Sequence, residues 1–436
     1  MSALLTVSPF MNGSPISDSR KQSRRCRIGL VLPGGGARGA YQVGVLKAVA
    51  EMLPRRAPSP FRVLSGTSAG AINTAVIASR AHLFHVGVAE LEYVWRNFHS
   101  RQVFRSDPGT MLRNSLHWLV AVLTGGMGDK NPLSLLDNTP LRNMLQKRIS
   151  FGAIQRAIDK GYVDAVAVTA AGYTSAQSVS FYQGAPDTGP WQRVRRIGRP
   201  TMINLDHLMA SIAVPIVFSP VLIGREYFGD GAMRQATPLS PAVHLGVDRI
   251  FVIGVRNEVR DPEPRTGEDV PYPSLGRVAG YVLDALFMDG LSADLERLTR
   301  INLMLNQVPG KTLHADTGEL RGIDAFVMLP SEDVREIAAR HVGQLPWSVR
   351  VLLRGLGALN RGGMQLASYL LFESGFTREL IDLGYRDAMN RRKDIESFLA
   401  GEPVDSPARV TGWRDLVEEY TGKFPVLKLS GEEQGS

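Results

Sequence analysis

From residue 27 onward, short apolar runs alternate with longer stretches in which apolar side chains recur every three or four positions. That alternation predicts strands of a mostly parallel sheet joined by helical crossovers. "RIGLVL" (27–32) reads as a buried strand, the glycine-rich 34–39 as a turn, and "AYQVGVLKAVAEM" as a helix with Tyr41, Val45, Ala48 and Val49 on its apolar face. "FRVLSG" (61–66) and "AGAINTAVIAS" (69–79) repeat the unit. Residues 82–160 are helix-rich, with a break at "TGGMGDKNP" and a helix start at "DNTPLRNML", where Pro140 suits the first turn. "YVDAVAVTAA" (162–171) and "SVSFYQG" (178–184) predict paired strands. "NLDHLMASIAVPIVF" (204–218) predicts a helix stopped by Pro215, "VLIGREYFGDGA" (221–232) a hairpin, and "VDRIFVIGV" (247–255) a further buried strand.

The pattern changes at "RNEVRDPEPRTGEDVPYPS" (256–274), a charged, Pro-rich stretch that marks an exposed loop or boundary. One long helix is expected over 278–307, then a last strand at "DAFVMLP" (324–330) and mostly helical segments over 331–425. In "DALFMDGLSADLERL" (284–298) charged and apolar faces alternate, and a core helix is the reading preferred over a membrane-lying one. The expected organisation is a basic N-terminal tail (1–26), a catalytic domain (27–255), and a mostly helical C-terminal region (256–436) packing on it.

Composition narrows the classes. With 436 residues and 44% hydrophobic content, the chain can bury a sizeable core. A single cysteine, Cys26, excludes an intramolecular disulfide. The net charge is +8, half of it in "SDSRKQSRRCR" (17–27), where an ordinary solvated run is the reading preferred over an anionic lipid or nucleic-acid partner. The same holds for Arg193, Arg195, Arg196 and Arg199. The N-terminus makes a poor signal peptide, and "LHWLVAVLTGG" (116–126) is about half a membrane span, so a soluble or at most peripheral, cytoplasmic protein is expected, with export as an effector left open.

Three motifs carry chemistry. "GGGARG" (34–39), between a strand and a helix, offers backbone N–H groups to an anion. A dinucleotide fold uses the same G-x-G-x-x-G spacing but wants an acid near the end of the second strand. No Asp or Glu occurs from Met52 to Ala89, which argues against nucleotide binding. "GTSAG" (66–70) places Ser68 in a sharp strand-to-helix turn, where Gly66 and Gly70 provide the room a strained serine needs. A serine needs a base. "DGA" (230–232) presents Asp230 at a strand end, a position a tight hairpin turn would also explain. A triad of Ser68, Asp230 and His244 also satisfies a known motif order.

Taken in order, "GGGARG", "GTSAG" and "DGA", with "MASIAVPIVFSPVLIGREYFGDGA" (209–232) and "TPLSPAVHLGVDRIFVIGV" (237–255), resemble the patatin-like phospholipase family over roughly 27–255. The resemblance implies an α/β fold of three α/β/α layers with a mostly parallel central sheet. It implies a Ser-Asp dyad without histidine: Ser68 as nucleophile and Asp230 as general base. Within the loop Gly34, Gly35, Gly36, Arg38 and Gly39, the N–H groups of Gly35 and Gly36 would form the oxyanion hole, and Arg38 would steady the loop or meet a phosphate. The elbow glycines are Gly66 and Gly70; the aspartate's motif is Asp230, Gly231 and Ala232. The implied substrate is a phospholipid or other acyl-ester lipid, with peripheral membrane contact. No metal, cofactor or nucleic acid is expected. The alternative is a patatin-like scaffold that binds lipid or protein without turnover.

Overall fold

The computed structural model describes residues 26–105, 107, 109, 134–186, 188–257, 272–306, 313–315, 318–359 and 363–402. The basic tail, the apolar run at 116–126, most of the Pro-rich stretch and the chain after 402 lie outside the described residues.

The strands are β1 (Ile28–Leu32), β2 (Val63–Thr67), β3 (Ala165–Gly172), β4 (Ser178–Gly184), β5 (Trp191–Arg193), β6 (Arg196–Pro200), β7 (Val221–Ile223), β8 (Glu226–Asp230) and β9 (Arg249–Ile253). A small separate hairpin, β10 (Leu313–Ala315) and β11 (Gly318–Leu320), precedes β12 (Asp324–Met328). The main sheet runs β12-β9-β1-β2-β3-β4-β6-β5, with β8 paired to β3 and β7 to β8. From β12 across to β3 every pairing is parallel. The expected β3–β4 and β7–β8 pairs are antiparallel.

Alternate side chains of the central strands point into two cores. Leu30, Leu32, Leu64, Phe251 and Phe326 enter one. Val31, Val63, Ile250, Val252 and Val327 enter the other. Strands buried on both faces read as continuous apolar runs, as these do. The first core is covered by α1 (Ala40–Met52), α2 (Ala69–Ser79) and α3 (Phe84–Arg96), and the second by the chain around Leu239, Leu291 and Leu295. Helices on both faces of a mostly parallel sheet make the three-layer architecture.

The face of α1 read from the sequence, Tyr41, Val45, Ala48 and Val49, is buried, and Gln42, Val43 and Leu46 on its other sides are as buried as these. A helix far along the chain, Ser374–Asn390, crosses it so closely that a Cβ at Gly44 would lie 2.0 Å from the Ile381 carbonyl oxygen, and one at Gly384 2.3 Å from that of Tyr41. The helix before Pro215 ends four residues early, spanning Leu205–Ser211. A residue before proline is pushed out of helical geometry, and the chain from Ile212 to Val214 makes only short local turns instead. The expected long helix is present as α4 (Leu275–Asp284), a π-turn at Ala285–Asp289 and α5 (Gly290–Asn306), which follow one another without a break.

Residues after 255 are integral to this packing. They supply β12 beside β9, and Phe287, Leu291 and Leu295 of the second core.

Candidate active site

The end of β2 and the start of α2 meet at Ser68, whose φ of 54° and ψ of −128° are unusual for a residue bearing a Cβ. Such geometry costs roughly 1–3 kcal/mol and persists only where neighbours enforce it. The glycines enforce it by letting backbones touch. A Cβ at Gly66 would stand 2.4 Å from the Gly70 oxygen, and one at Gly70 would stand 2.0 Å from the Leu32 oxygen. Ser68 occupies the N-cap position of α2, yet its hydroxyl caps nothing. Serine in that position ordinarily spends its oxygen on the first turn, so the Ser68 oxygen is left for other partners.

One residue that the motifs do not mark holds the turn. Ser211 is fully buried; its hydroxyl accepts the Ser68 N–H at 2.9 Å and donates to the Thr169 oxygen at 2.7 Å. It lies at the end of the Leu205–Ser211 helix, inside the run resembling the family's approach to its aspartate, where a small polar residue amid apolar ones was the available signal. Ser211→Ala leaves a buried amide without its acceptor. We expect a loss of about 1–3 kcal/mol in urea unfolding, together with a lower kcat as the elbow loosens.

Asp230 ends β8 next to β3, opposite Ala170. Its N–H donates to the Ala213 oxygen at 2.8 Å, a carbonyl freed by the early end of the preceding helix. Its Oδ1 accepts the Ala232 N–H at 2.9 Å. The tight turn into Gly231 is required, since a Cβ there would lie 2.2 Å from the Thr169 oxygen. Gln235 then ties the loop back to β2 and β3 through Thr67 and Thr169.

Burial raises the Asp230 pKa to about 7, while the nearby Ser68 hydroxyl and the Ala232 amide pull the other way. The pull from Ser68 is that of its hydroxyl approaching the carboxylate as a hydrogen-bond donor, although Oδ2 has no partner within ordinary hydrogen-bond geometry. No cation is among the groups acting on this carboxylate, and the two donors offset only part of its desolvation.

The glycine loop approaches from the third side. After β1 the chain makes a short turn at Gly36–Gly39, with Gly36 at φ 54°. A Cβ at Gly34 would lie 2.8 Å from Ser68 Cβ, and one at Gly36 2.4 Å from the Tyr369 oxygen. The first amides of such a turn have no partner within it. Arg38 is 1% exposed and its guanidinium is occupied by Ser368, Asp284 and the Gln365 carbonyl. With those partners it lies away from the cavity walls.

Ser68 and Gly36 open onto an apolar cavity of roughly 1000 Å³, its mouth included. Trp95, Leu145, Ile212, Val214, Phe218 and Phe287 are among its walls; the charged Glu90 and Arg148 also border it. His244 is engaged elsewhere: its ring stacks on Trp191 at 5.2 Å and its Nδ1 meets the Ser240 oxygen at 2.8 Å, while burial lowers its pKa. These contacts do not include Ser68 or Asp230. Among the described residues, no helix is long and apolar enough to cross a membrane, and no three His, Cys, Asp or Glu side chains are placed to share a metal ion.

Residues 30–243 match the family model for patatin-like phospholipases. A 54-residue segment is 52% identical to lysophospholipase nte1 of Aspergillus terreus, covering 12% of this chain and 3% of that protein. A 76-residue segment is 41% identical to a cUMP-AMP-activated phospholipase of Escherichia coli, covering 17% of this chain and 23% of that one. The matches thus span less than a quarter of either relative. Among solved structures, human GIVD cytosolic phospholipase A2 in complex with methyl gamma-linolenyl fluorophosphonate aligns over 86% of this chain and 59% of its own, at 12% identity and a TM-score of 0.39.

Proposed function

Because residues 30–243 form a domain of the patatin-like phospholipase family, we propose that this chain is a lipid acyl hydrolase working through a dyad of Ser68 and Asp230. The observation that carries the reading is the meeting, beside an apolar cavity, of a serine whose hydroxyl does not cap its helix and a fully buried carboxylate.

The steps balance with this chain's own groups. Ser68 Oγ attacks the acyl carbonyl carbon as its proton passes to Asp230, and the carbonyl oxygen becomes an oxyanion facing the Gly35 and Gly36 amides. Each such donor contributes about 3–4 kcal/mol of transition-state stabilisation. Collapse breaks the ester bond, and the leaving alcohol takes the proton from Asp230. Water then attacks the acyl-enzyme, gives its proton to Asp230, and releases the fatty acid while Ser68 regains its hydrogen.

A carboxylate at its usual pKa is a feeble base toward an alcohol. Raised to about 7, Asp230 is a stronger one, near the pH at which it works. The apolar walls fit an acyl chain and exclude water that would compete in the first step.

Purified protein incubated with mixed phospholipid vesicles tests the reading. We expect fatty-acid release, with kcat/KM rising through an apparent pKa near 7 to a plateau above it, because only ionised Asp230 accepts the serine proton. Below that value the rate falls about tenfold per pH unit. No fatty-acid release at any pH from 5 to 9 would favour a lipid-binding scaffold without turnover.

A further inference from the structure

The glycine loop is held from outside the segment that matches the family model. Two residues past Gly36, Arg38 turns away from the cavity into a buried polar cluster built by α4 and by a later helix, α6 (Met364–Leu370). Its Nε and Nη2 donate to Ser368 Oγ at 2.9 and 2.6 Å, and Nη2 also to the Gln365 oxygen at 3.3 Å. Its Nη1 pairs with Asp284 Oδ1 at 3.0 Å, and the guanidinium lies 3.9 Å over the Tyr369 ring. Asp284, its side chain 3% exposed, is the hub. It also accepts from Tyr369 Oη at 2.5 Å and from Gln365, and pairs with Arg256 at 3.1 Å.

A single buried carboxylate therefore gathers two guanidiniums, a phenol and an amide. Arg38 sits in the same short turn as Gly36, so the direction of its side chain and the aim of the loop amides are set together. Asp284 is the last residue of α4, just before the π-turn that carries Phe287 to the Gly34 side of the loop, where a Cβ would meet the ring at 2.4 Å.

We propose that Asp284 is a positioning residue for ester hydrolysis: it fixes Arg38, and through Arg38 the Gly35 and Gly36 amides that receive the oxyanion. The inference rests on the hydrolase reading above. A purely electrostatic role predicts the opposite result, since deleting a negative charge behind the loop would leave a more positive field at the oxyanion and speed acylation. A role in folding alone predicts a lower melting temperature with kcat unchanged per folded molecule.

The full chain is compared with its Asp284→Asn and Ser368→Ala variants for melting temperature, for kcat and KM on a p-nitrophenyl acyl ester, and for the rate at which a fluorophosphonate labels Ser68. We expect kcat and labelling to drop about 100-fold in Asp284→Asn and about tenfold in Ser368→Ala, with KM within twofold and the rising limb near pH 7 unmoved. Should Asp284→Asn fail to fold, Asp284→Glu, which keeps the charge but moves the carboxylate away from its place against Arg38, decides in its stead, with the same drop expected in kcat and labelling. Folded variants with kcat within threefold of the parent, or faster, overturn the proposal. A parent chain inert toward ester and fluorophosphonate alike overturns the hydrolase reading and this inference with it; an active parent with indifferent variants overturns this inference only.

Discussion

Ser68→Ala should abolish fatty-acid release, lowering kcat by roughly 10,000-fold to a million-fold, while the protein folds as before. Only Oγ is deleted, and that atom caps nothing in the native turn. The Ser211 hydroxyl still accepts the amide of residue 68, so the elbow keeps its shape. Alanine bears the same backbone strain as serine here, so unfolding by urea should shift by less than about 1 kcal/mol. The check is fatty-acid release beside a urea melt, with fluorophosphonate labelling lost in the variant. Substantial activity in a folded Ser68→Ala protein would remove the serine from the mechanism.

Asp230→Asn should cost about 1,000- to 10,000-fold in kcat, the range in which an enzyme loses its base but keeps its oxyanion donors. The same substitution should stabilise the fold above neutral pH. Folding raises the Asp230 pKa from 3.8 to about 7. The native state therefore prefers the protonated acid: the group's stabilising effect is complete below about pH 4, fades as pH rises through 7, and leaves a deficit of at most about 4 kcal/mol at pH 8. Asparagine carries no charge to desolvate, and its amide oxygen can still accept the Ala232 N–H. We expect the variant to melt a few degrees above the parent at pH 8, with the advantage gone near pH 4. A variant less stable than the parent at pH 8 would mean that the carboxylate is solvated or paired.

The parts of this site that the sequence announces are those in which backbone needs dictate residue type. Gly66, Gly70 and Gly231 are legible because each sits where a Cβ would strike a carbonyl oxygen, and the strands and helices bracketing Ser68 follow from local periodicity, α2 spanning its predicted residues. Long-range packing was not legible. Nothing near Arg38 reveals that its partners are Asp284 and Ser368, 246 and 330 residues away. Nor does α1 betray a second helix over its outer face, because an apolar stripe records that a side is buried without saying that the opposite side is covered too. The π-turn inside the predicted long helix is hidden as well, because a 3.6-residue period tolerates one extra residue in a turn.

The burial of Asp230 without a cation bears on how the proposed cycle would end. Hydrolysis would turn a neutral ester into an acid, and any charge on its new carboxylate would stand next to that of Asp230 in a poorly screening medium. Mutual repulsion would then push the head of the departing chain outward even as its tail favoured the apolar walls. The dehydration that would make the aspartate basic would also make the cavity a poor home for the acid released there.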